Sequence, residues 1–273
     1  MSSKRLAETS VRDALDSALI ALTAAGVSTP RLDAEVLLAA AMGVDRAVLI
    51  ADPGRGVEPD AARVFQDYAR RRVQREPVAY ILGRKGFRRL ELEVDSRVLV
   101  PRPETEHVVE AALDLPAGAR VVDVGTGSGA IALALADERP DLDVVATDVS
   151  ADALAVARAN AERLGVAVEF VEADLLDGVR GPIDAVVSNP PYVREGERLP
   201  PEITRYEPAV ALYGGPEGLD VYGRLAQACA DVPFVAFEIA GWQAEAVGAL
   251  LEGFAIQVMR DLAGIDRVVV GRR

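Results

Sequence analysis

The chain has 273 residues, half of them hydrophobic, and a formal net charge of −13; that length and apolar share favour one large or two modest domains with real cores over a disordered chain. The acidic balance excludes a surface that grips nucleic acid over its whole extent and leaves room only for a local basic patch. A single cysteine, Cys229, and a single histidine, His107, exclude an internal disulfide and a zinc site built from the two.

The opening MSSKRLAETS has no apolar core of the kind an export signal needs, and no apolar run reaches transmembrane length. A reduced, metal-free, cytoplasmic enzyme is the expectation. Ser10 with Asp13 forms a capping-box pattern, after which Leu15, Ala18, Leu19 and Leu22 share one helical face until Gly26. Thr29-Pro30 restarts a helix with proline at its first position, and Leu32, Val36, Leu37 and Ala40 are expected to line its buried side. A third helix is predicted from Asp60 to Arg75, before Pro77. Together these make a helical bundle domain over residues 1–82.

The period then changes. Leu90, Leu92 and Val94 alternate with charged residues, Asp95-Ser96 can turn, and Val98 to Val100 can return, which predicts a β-hairpin linker within 83–105. From residue 106 to 273 the pattern is α/β. Strands are expected at Arg120–Val124, Asp143–Thr147, Val168–Val171, Ile183–Ser188, Pro233–Ile239, Ala255–Arg260 and Arg267–Gly271, with helices such as Ala130–Glu138 and Ala151–Leu164 between the early ones. That alternation implies a parallel sheet covered on both faces. The last two strands are joined by too few residues for a crossover helix and should pair antiparallel.

VVDVGTGSGA places Gly125, Gly127 and Gly129, interleaved with Thr126 and Ser128, directly after a strand and before a helix. Glycines there allow a tight turn and close approach of a ligand, and the helix N-terminus favours anionic groups. Asp123 sits at the strand tip, and Asp148 at the tip of the next strand can accept from both hydroxyls of a ribose. As Gly-x-Gly-x-x-Ala the loop fits a loose dinucleotide fingerprint; as Asp-x-Gly-x-Gly-x-Gly it resembles motif I of S-adenosylmethionine-dependent methyltransferases. The loop alone leaves both open. Asp174 follows the third strand, where methyltransferases of the kind this loop resembles place a carboxylate near the adenine amino group, and Leu175 beside it would give apolar contact to the ring.

Asn189-Pro190-Pro191-Tyr192 ends the fourth strand of this pattern, where ligands of doubly wound sheets collect. Two prolines forbid the strand from continuing and stiffen the corner. It resembles the Asn/Asp-Pro-Pro-Tyr motif of methyltransferases acting on planar amino nitrogens, which are poor nucleophiles because their lone pair is delocalised. The Asn189 side-chain oxygen and the Pro190 carbonyl can each accept one N–H of such a group, and Tyr192 can stack on its plane. A nicotinamide oxidoreductase has no use for this corner. The motif does not separate adenine, guanine and glutamine.

VLVPRPETE (Val98–Glu106), the glycine loop and NPPY together, with AYILG, YEP, GGPEGLDVY, EIAGWQ and DLAGIDRV elsewhere, resemble the HemK-type protein-glutamine methyltransferases over nearly the whole chain. The resemblance implies a seven-strand Rossmann-like methyltransferase fold behind a helical, substrate-recognising N-terminal domain. It also implies S-adenosylmethionine as cofactor and the Gly-Gly-Gln glutamine of class-1 peptide chain release factors as substrate. It places cofactor contacts at Gly125 to Gly129, Asp148 and Asn189, and substrate contacts at Asn189 to Tyr192. It also puts Arg102 to Thr105 close to the active site, where Arg102 or Glu104 could orient a partner's backbone. A ribosomal-protein glutamine and a nucleic-acid base stand as alternative substrates. Val193 to Leu219 is a long connection and a candidate lid. Arg70, Arg71, Arg72, Arg75, Arg84, Lys85, Arg88 and Arg89 form a basic stretch that could dock an acidic partner.

Overall fold

The computed structural model describes residues 9–273; the first eight, which carry most of the segment judged against an export signal, lie outside the described residues. The described chain divides into two compact units, one running up to Gly83 and including Pro200–Tyr206, the other holding Arg84–Leu199 and Glu207–Arg273.

The helical unit contains α1 (Val11–Ala24), α2 (Pro30–Met42), α3 (Arg46–Ala51), α4 (Pro59–Val73) and α5 (Val78–Leu82). The Ser10 hydroxyl accepts from the Asp13 N–H at 3.2 Å and the Asp13 carboxylate accepts from the Ser10 N–H at 3.4 Å, so the expected capping box closes α1. Leu15, Leu22, Leu37, Leu38, Leu49, Phe65 and Ile81 meet in one core. The buried face of α2 differs from expectation: Leu32 is exposed, and Asp33 turns inward with Ala34, Leu37 and Leu38. The cause is an ion pair, Arg72 Nε donating to the Asp33 carboxylate at 2.7 Å, both side chains buried. The short helices α3 and α5 carry too few turns to register as a period. The segment Pro200–Tyr206 belongs to this unit through Glu202, whose carboxylate meets Arg72 at 3.4 Å and also Arg75, and through the Tyr206 hydroxyl, which donates to the Gln74 carbonyl at 2.9 Å.

The second unit opens with β1 (Arg84–Phe87) and β2 (Leu90–Glu93), an antiparallel hairpin turning at Arg88, whose φ is +50°. The expected hairpin of Leu90–Val94 with Val98–Val100 is therefore corrected. Leu90 and Leu92 do alternate, but their partner is the upstream RKGF, whose charged residues conceal a strand. Asp95 instead holds Arg97 in a local turn, with an ion pair at 2.6 Å. Val98 and Val100 are buried without joining a ladder.

After a 3-10 turn at Pro103–Thr105 come α6 (Glu106–Ala112), β3 (Arg120–Val124), α7 (Ala130–Glu138), β4 (Asp143–Asp148), α8 (Ala151–Leu164), β5 (Glu169–Glu172) and β6 (Ala185–Ser188). In chain order there follow α9 (Pro201–Tyr206), which belongs to the helical unit, and then, again in the second unit, α10 (Asp220–Ala228), β7 (Phe234–Glu238), α11 (Ala244–Leu250), β8 (Ala255–Arg260) and β9 (Asp266–Arg272). The sheet has seven strands in the order β5-β4-β3-β6-β7-β9-β8, parallel except for β9, which runs antiparallel to both neighbours. Successive residues point to opposite faces, so Val121 and Val187 enter one core while Val122 and Val186 enter the other. The chain winds outward from β3 to β5 and then crosses back to β6. The switch point between β3 and β6 is where the carboxyl ends of the strands open a crevice.

The basic stretch is largely neutralised inside the chain. Arg70 faces Asp67, Arg71 faces Glu76, Arg72 and Arg75 share Glu202, Arg84 faces Glu91, Arg88 faces Glu138, and Arg89 faces Asp137.

Candidate active site

The cleft at the switch point encloses about 290 Å³ and is lined by Val98 and Leu99, Gly125 and Gly127, Asp148, Asp174 and Leu175, and Asn189 to Pro191. Among the residues the sequence singles out, these glycines and carboxylates share one cavity with the Asn-Pro-Pro corner. Asp123, Thr126, Ser128, Gly129, Tyr192, Arg102 and Glu104 do not line it.

Those behind the wall hold it in shape. Asp123 is fully buried, and one carboxyl oxygen accepts from the Thr126 hydroxyl at 2.6 Å and from the Ala132 N–H at 3.1 Å. Burial pushes its pKa up to about 7 against the pull of those donors. Asp148 accepts from the Gly127 N–H and the Ser150 N–H, each at 2.9 Å, so it fixes the glycine loop as well as facing the cleft. Burial raises its pKa too. Gly125 and Gly127 have φ of +72° and +56°, and a Cβ on either would meet nothing within 4 Å. The loop thus needs glycine for its backbone and leaves open the space a ligand would enter. Leu175 also stands in the left-handed region, at φ +55°, its carbonyl accepting from the Thr147 hydroxyl at 2.8 Å. Asp174 faces Arg224 at 2.6 Å across the same cleft.

The corner is held from several sides. The Ser188 hydroxyl donates to the Val124 carbonyl at 2.7 Å, tying the end of β6 to the end of β3. The Asn189 Nδ2 donates to the Thr105 hydroxyl at 3.0 Å, which leaves Oδ1 for other partners. Gly214 and Gly218 lie so close that a Cβ would stand 2.4 Å from the Pro191 carbonyl oxygen and 2.2 Å from that of Tyr192, respectively. Val193 and Tyr213 form a parallel bridge, with the Gly214 N–H on the Val193 carbonyl at 2.9 Å. The buried Gln243 donates to the Gly218 carbonyl at 3.0 Å. Tyr192 is half-buried, its hydroxyl 3.5 Å from the Glu238 carboxyl, and its pKa is raised by burial. Arg102 pairs with the buried Glu207 at 2.5 Å, and Glu104 faces Arg267 at 3.8 Å. Both are engaged within the chain.

Thr105 lies in the stretch that the resemblance puts close to the active site, and Gly214, Gly218, Glu238 and Gln243 lie in GGPEGLDVY and EIAGWQ, but the sequence assigns none of the five a role of its own. Thr105, Gly218 and Gln243 act through partners remote in the chain.

The PrmC N-terminal domain family matches residues 13–83 and the methyltransferase small domain family matches residues 96–205. The chain is 40% identical to the release factor glutamine methyltransferase of Koribacter versatilis over 279 aligned residues, which cover 96% of this chain and 98% of that one. It is also 40% identical to the enzyme of the same name from Deinococcus radiodurans, with 96% and 98% covered. The chain belongs to the release factor glutamine methyltransferases. Such a methyltransferase carries the Rossmann-like seven-strand sheet and the helical N-terminal unit described above. A methyltransferase from Pyrococcus furiosus, 19% identical, shares the fold with a TM-score of 0.51 over 67% of this chain and 88% of its own.

Proposed function

We propose that this methyltransferase uses S-adenosylmethionine to methylate the side-chain amide nitrogen of the glutamine in the Gly-Gly-Gln motif of class-1 peptide chain release factors, in the cytoplasm. The observation that carries the reading is that the glycine loop and the Asn189-Pro190-Pro191 corner line one cleft. The open, positive-φ glycines, the Asp148 carboxylate and the apolar Val98, Leu99 and Leu175 suit a nucleoside with a charged tail. Gly125 to Gly129, Asp148, Asp174, Leu175 and the Asn189 backbone would hold it, and it supplies an electrophilic methyl on a sulfonium.

The chain's own task is to present the acceptor nitrogen. Asn189 Oδ1 and the Pro190 carbonyl each accept one amide N–H, which orients the nitrogen and meets the positive charge that grows on it. Tyr192, next in the chain to the cleft-lining Pro191, is the residue that would stack on the amide plane. Once methylated, the nitrogen carries a proton acidic enough to leave to water, so no side-chain base is required. The helical unit over residues 1–82 is assigned to recognition of the release factor, with the hairpin as linker. Arg102 and Glu104 are engaged by Glu207 and Arg267, so any contact they make with substrate requires exchanging those partners.

The test is mass spectrometry of acceptors incubated with the enzyme and S-adenosylmethionine. A single added methyl on the Gly-Gly-Gln glutamine of a release factor, absent when that glutamine is alanine, supports the reading. Methylation of a ribosomal protein or RNA instead would contradict it.

A further inference from the structure

We propose that Arg194 and Trp242 form a docking platform for the acceptor polypeptide, holding the backbone beside the amide that is methylated. The proposal rests on reading Asn189 to Tyr192 as the transfer corner. Trp242 is the only tryptophan of the chain and is 51% exposed. It belongs to neither hydrophobic core of the second unit. The Arg194 guanidinium lies over its ring, 3.7 Å from the centroid, and the arginine side chain is itself 46% exposed. A stacked tryptophan and arginine left in water are the residues of an interface centre, not of a core.

Both residues ride on the backbone of the corner. Gln243, next to Trp242 and fully buried, donates through Nε2 to the Gly218 carbonyl at 3.0 Å and reaches the Tyr192 carbonyl at 3.4 Å. Its N–H donates to the Ala240 carbonyl at 2.8 Å and its Oε1 accepts from the Ala240 N–H at 3.0 Å, which closes the turn that carries Trp242. On the other side, the Val193 N–H donates to the Leu212 carbonyl at 2.9 Å and the Glu195 N–H to the Gly215 carbonyl at 3.1 Å, so the backbone of Arg194 is fixed between them. Arg194 stands two residues beyond Tyr192, at most about 7 Å along the chain. An acceptor whose amide enters the corner has its flanking residues within reach of the platform.

The chemistry of the platform suits a peptide. Indole and guanidinium both offer a flat face to a peptide plane, and the guanidinium N–H groups can donate to its carbonyl oxygens. The ion pair Arg194 now makes is weak: Glu217 stands 3.9 Å away and is 74% exposed, so a backbone carbonyl can replace it at little cost. Ile265, also exposed, extends the apolar edge, its Cγ2 only 2.6 Å from where a Cβ on Gly241 would stand. A nucleobase has a flat face too, but Glu195 and Glu197 in the same loop, with Glu217, outnumber Arg194 and Arg198 and repel a phosphate backbone. Bulky side chains beside the amide would lift the backbone off the rings. The platform therefore favours small flanking residues, as in Gly-Gly-Gln.

The experiment uses Trp242 as its own reporter, since no other tryptophan contributes to the emission. With S-adenosylhomocysteine present throughout, wild-type emission is titrated with a tryptophan-free peptide spanning the residue that the wild type methylates. Acceptor KM and kcat are then compared for wild type, Trp242→Ala, Trp242→Phe and Arg194→Ala. Kinetics use whichever acceptor the wild type methylates, so a wrong acceptor and a wrong platform fail separately. The peptide should shift or quench the emission saturably. Trp242→Ala is expected to raise the acceptor KM about 10- to 100-fold, as truncation of an interface anchor does. Its kcat should stay within about threefold, because the platform holds ground state and transition state alike. Trp242→Phe should recover most of the loss, and Arg194→Ala should raise KM about two- to fivefold. Emission unmoved by peptide, a KM unchanged in Trp242→Ala or a loss that falls on kcat instead would overturn the platform. So would emission that responds to RNA and not to peptide, or to enzyme concentration alone, which would give the face to a nucleic acid or to a second copy of the chain.

Discussion

Gly218 shows how tightly the transfer corner is specified. Its φ is +69° and a Cβ would stand 2.2 Å from the Tyr192 carbonyl oxygen, so Gly218→Ala meets both a backbone penalty and a clash with main chain. We expect it to destabilise the fold by about 2–3 kcal/mol and to lower kcat about 100-fold by shifting Tyr192 and its neighbours. Denaturant unfolding and steady-state rates would check this. Gly125→Ala differs, since its Cβ enters open space. Only the left-handed backbone is penalised, by about 1–2 kcal/mol, and the principal effect should be weaker cofactor binding by calorimetry. At this scale the sequence displays what is local. The glycine loop and Asn-Pro-Pro-Tyr are contiguous, and their spacing exposes their chemistry. Thr105 lies 84 residues from Asn189, and Gln243 reaches Gly218 across 25 residues. No local pattern encodes such pairs.

Among the elements, long helices and buried strands are legible because their periods run for several repeats: α7 and α8 match their expected bounds, as do β3 and β8. The hairpin was misplaced because β1 is four residues with two charges and only Phe87 buried. The inward face of α2 was misread because Asp33 is part of it, and a polar residue at a core position makes sense only with its partner, Arg72, in view. Arg72 meets Asp33 and Glu202 from the centre of the helical unit. Removing it in Arg72→Ala leaves the buried Asp33 without its cation and Glu202 with Arg75 alone, and we expect a loss of about 3 kcal/mol, read from denaturant unfolding followed by circular dichroism. By contrast Arg84, paired with Glu91 on an exposed face, should change stability by no more than about 0.5 kcal/mol on mutation to alanine. Equal effects at the two positions would contradict this division of the basic stretch into structural and surface charges.

For the molecule as a whole, the alternation of strand and helix made the sheet legible, including its antiparallel final pair. The contribution of Pro200–Tyr206 to the helical unit was not, since it depends on Glu202 meeting arginines more than a hundred residues earlier. Burial also sets how stability follows pH. Asp123 and Glu238 have pKa values raised to about 7 from ordinary carboxylate values. A carboxyl whose folded-state pKa is raised contributes most below its unfolded pKa, and that contribution is lost as pH rises through the folded value. The carboxylates held low, among them Asp13, Glu138 and Asp261, lose their contribution only in acid, outside this window. The melting temperature should therefore be a few degrees higher at pH 6 than at pH 8. Glu238→Gln should raise it at pH 8 and flatten the slope; a wild-type melting temperature that falls on moving from pH 8 to pH 6 would count against the buried-carboxyl account.

The central claim is that the corner at the end of β6 is where the acceptor nitrogen is held. Its most direct test is the single-turnover rate of Asn189→Ala on a release factor, with S-adenosylmethionine affinity measured on the same preparation. The account predicts a rate at least about 100-fold below wild type with cofactor affinity within several-fold. Transfer at the wild-type rate would show that the amide is held elsewhere.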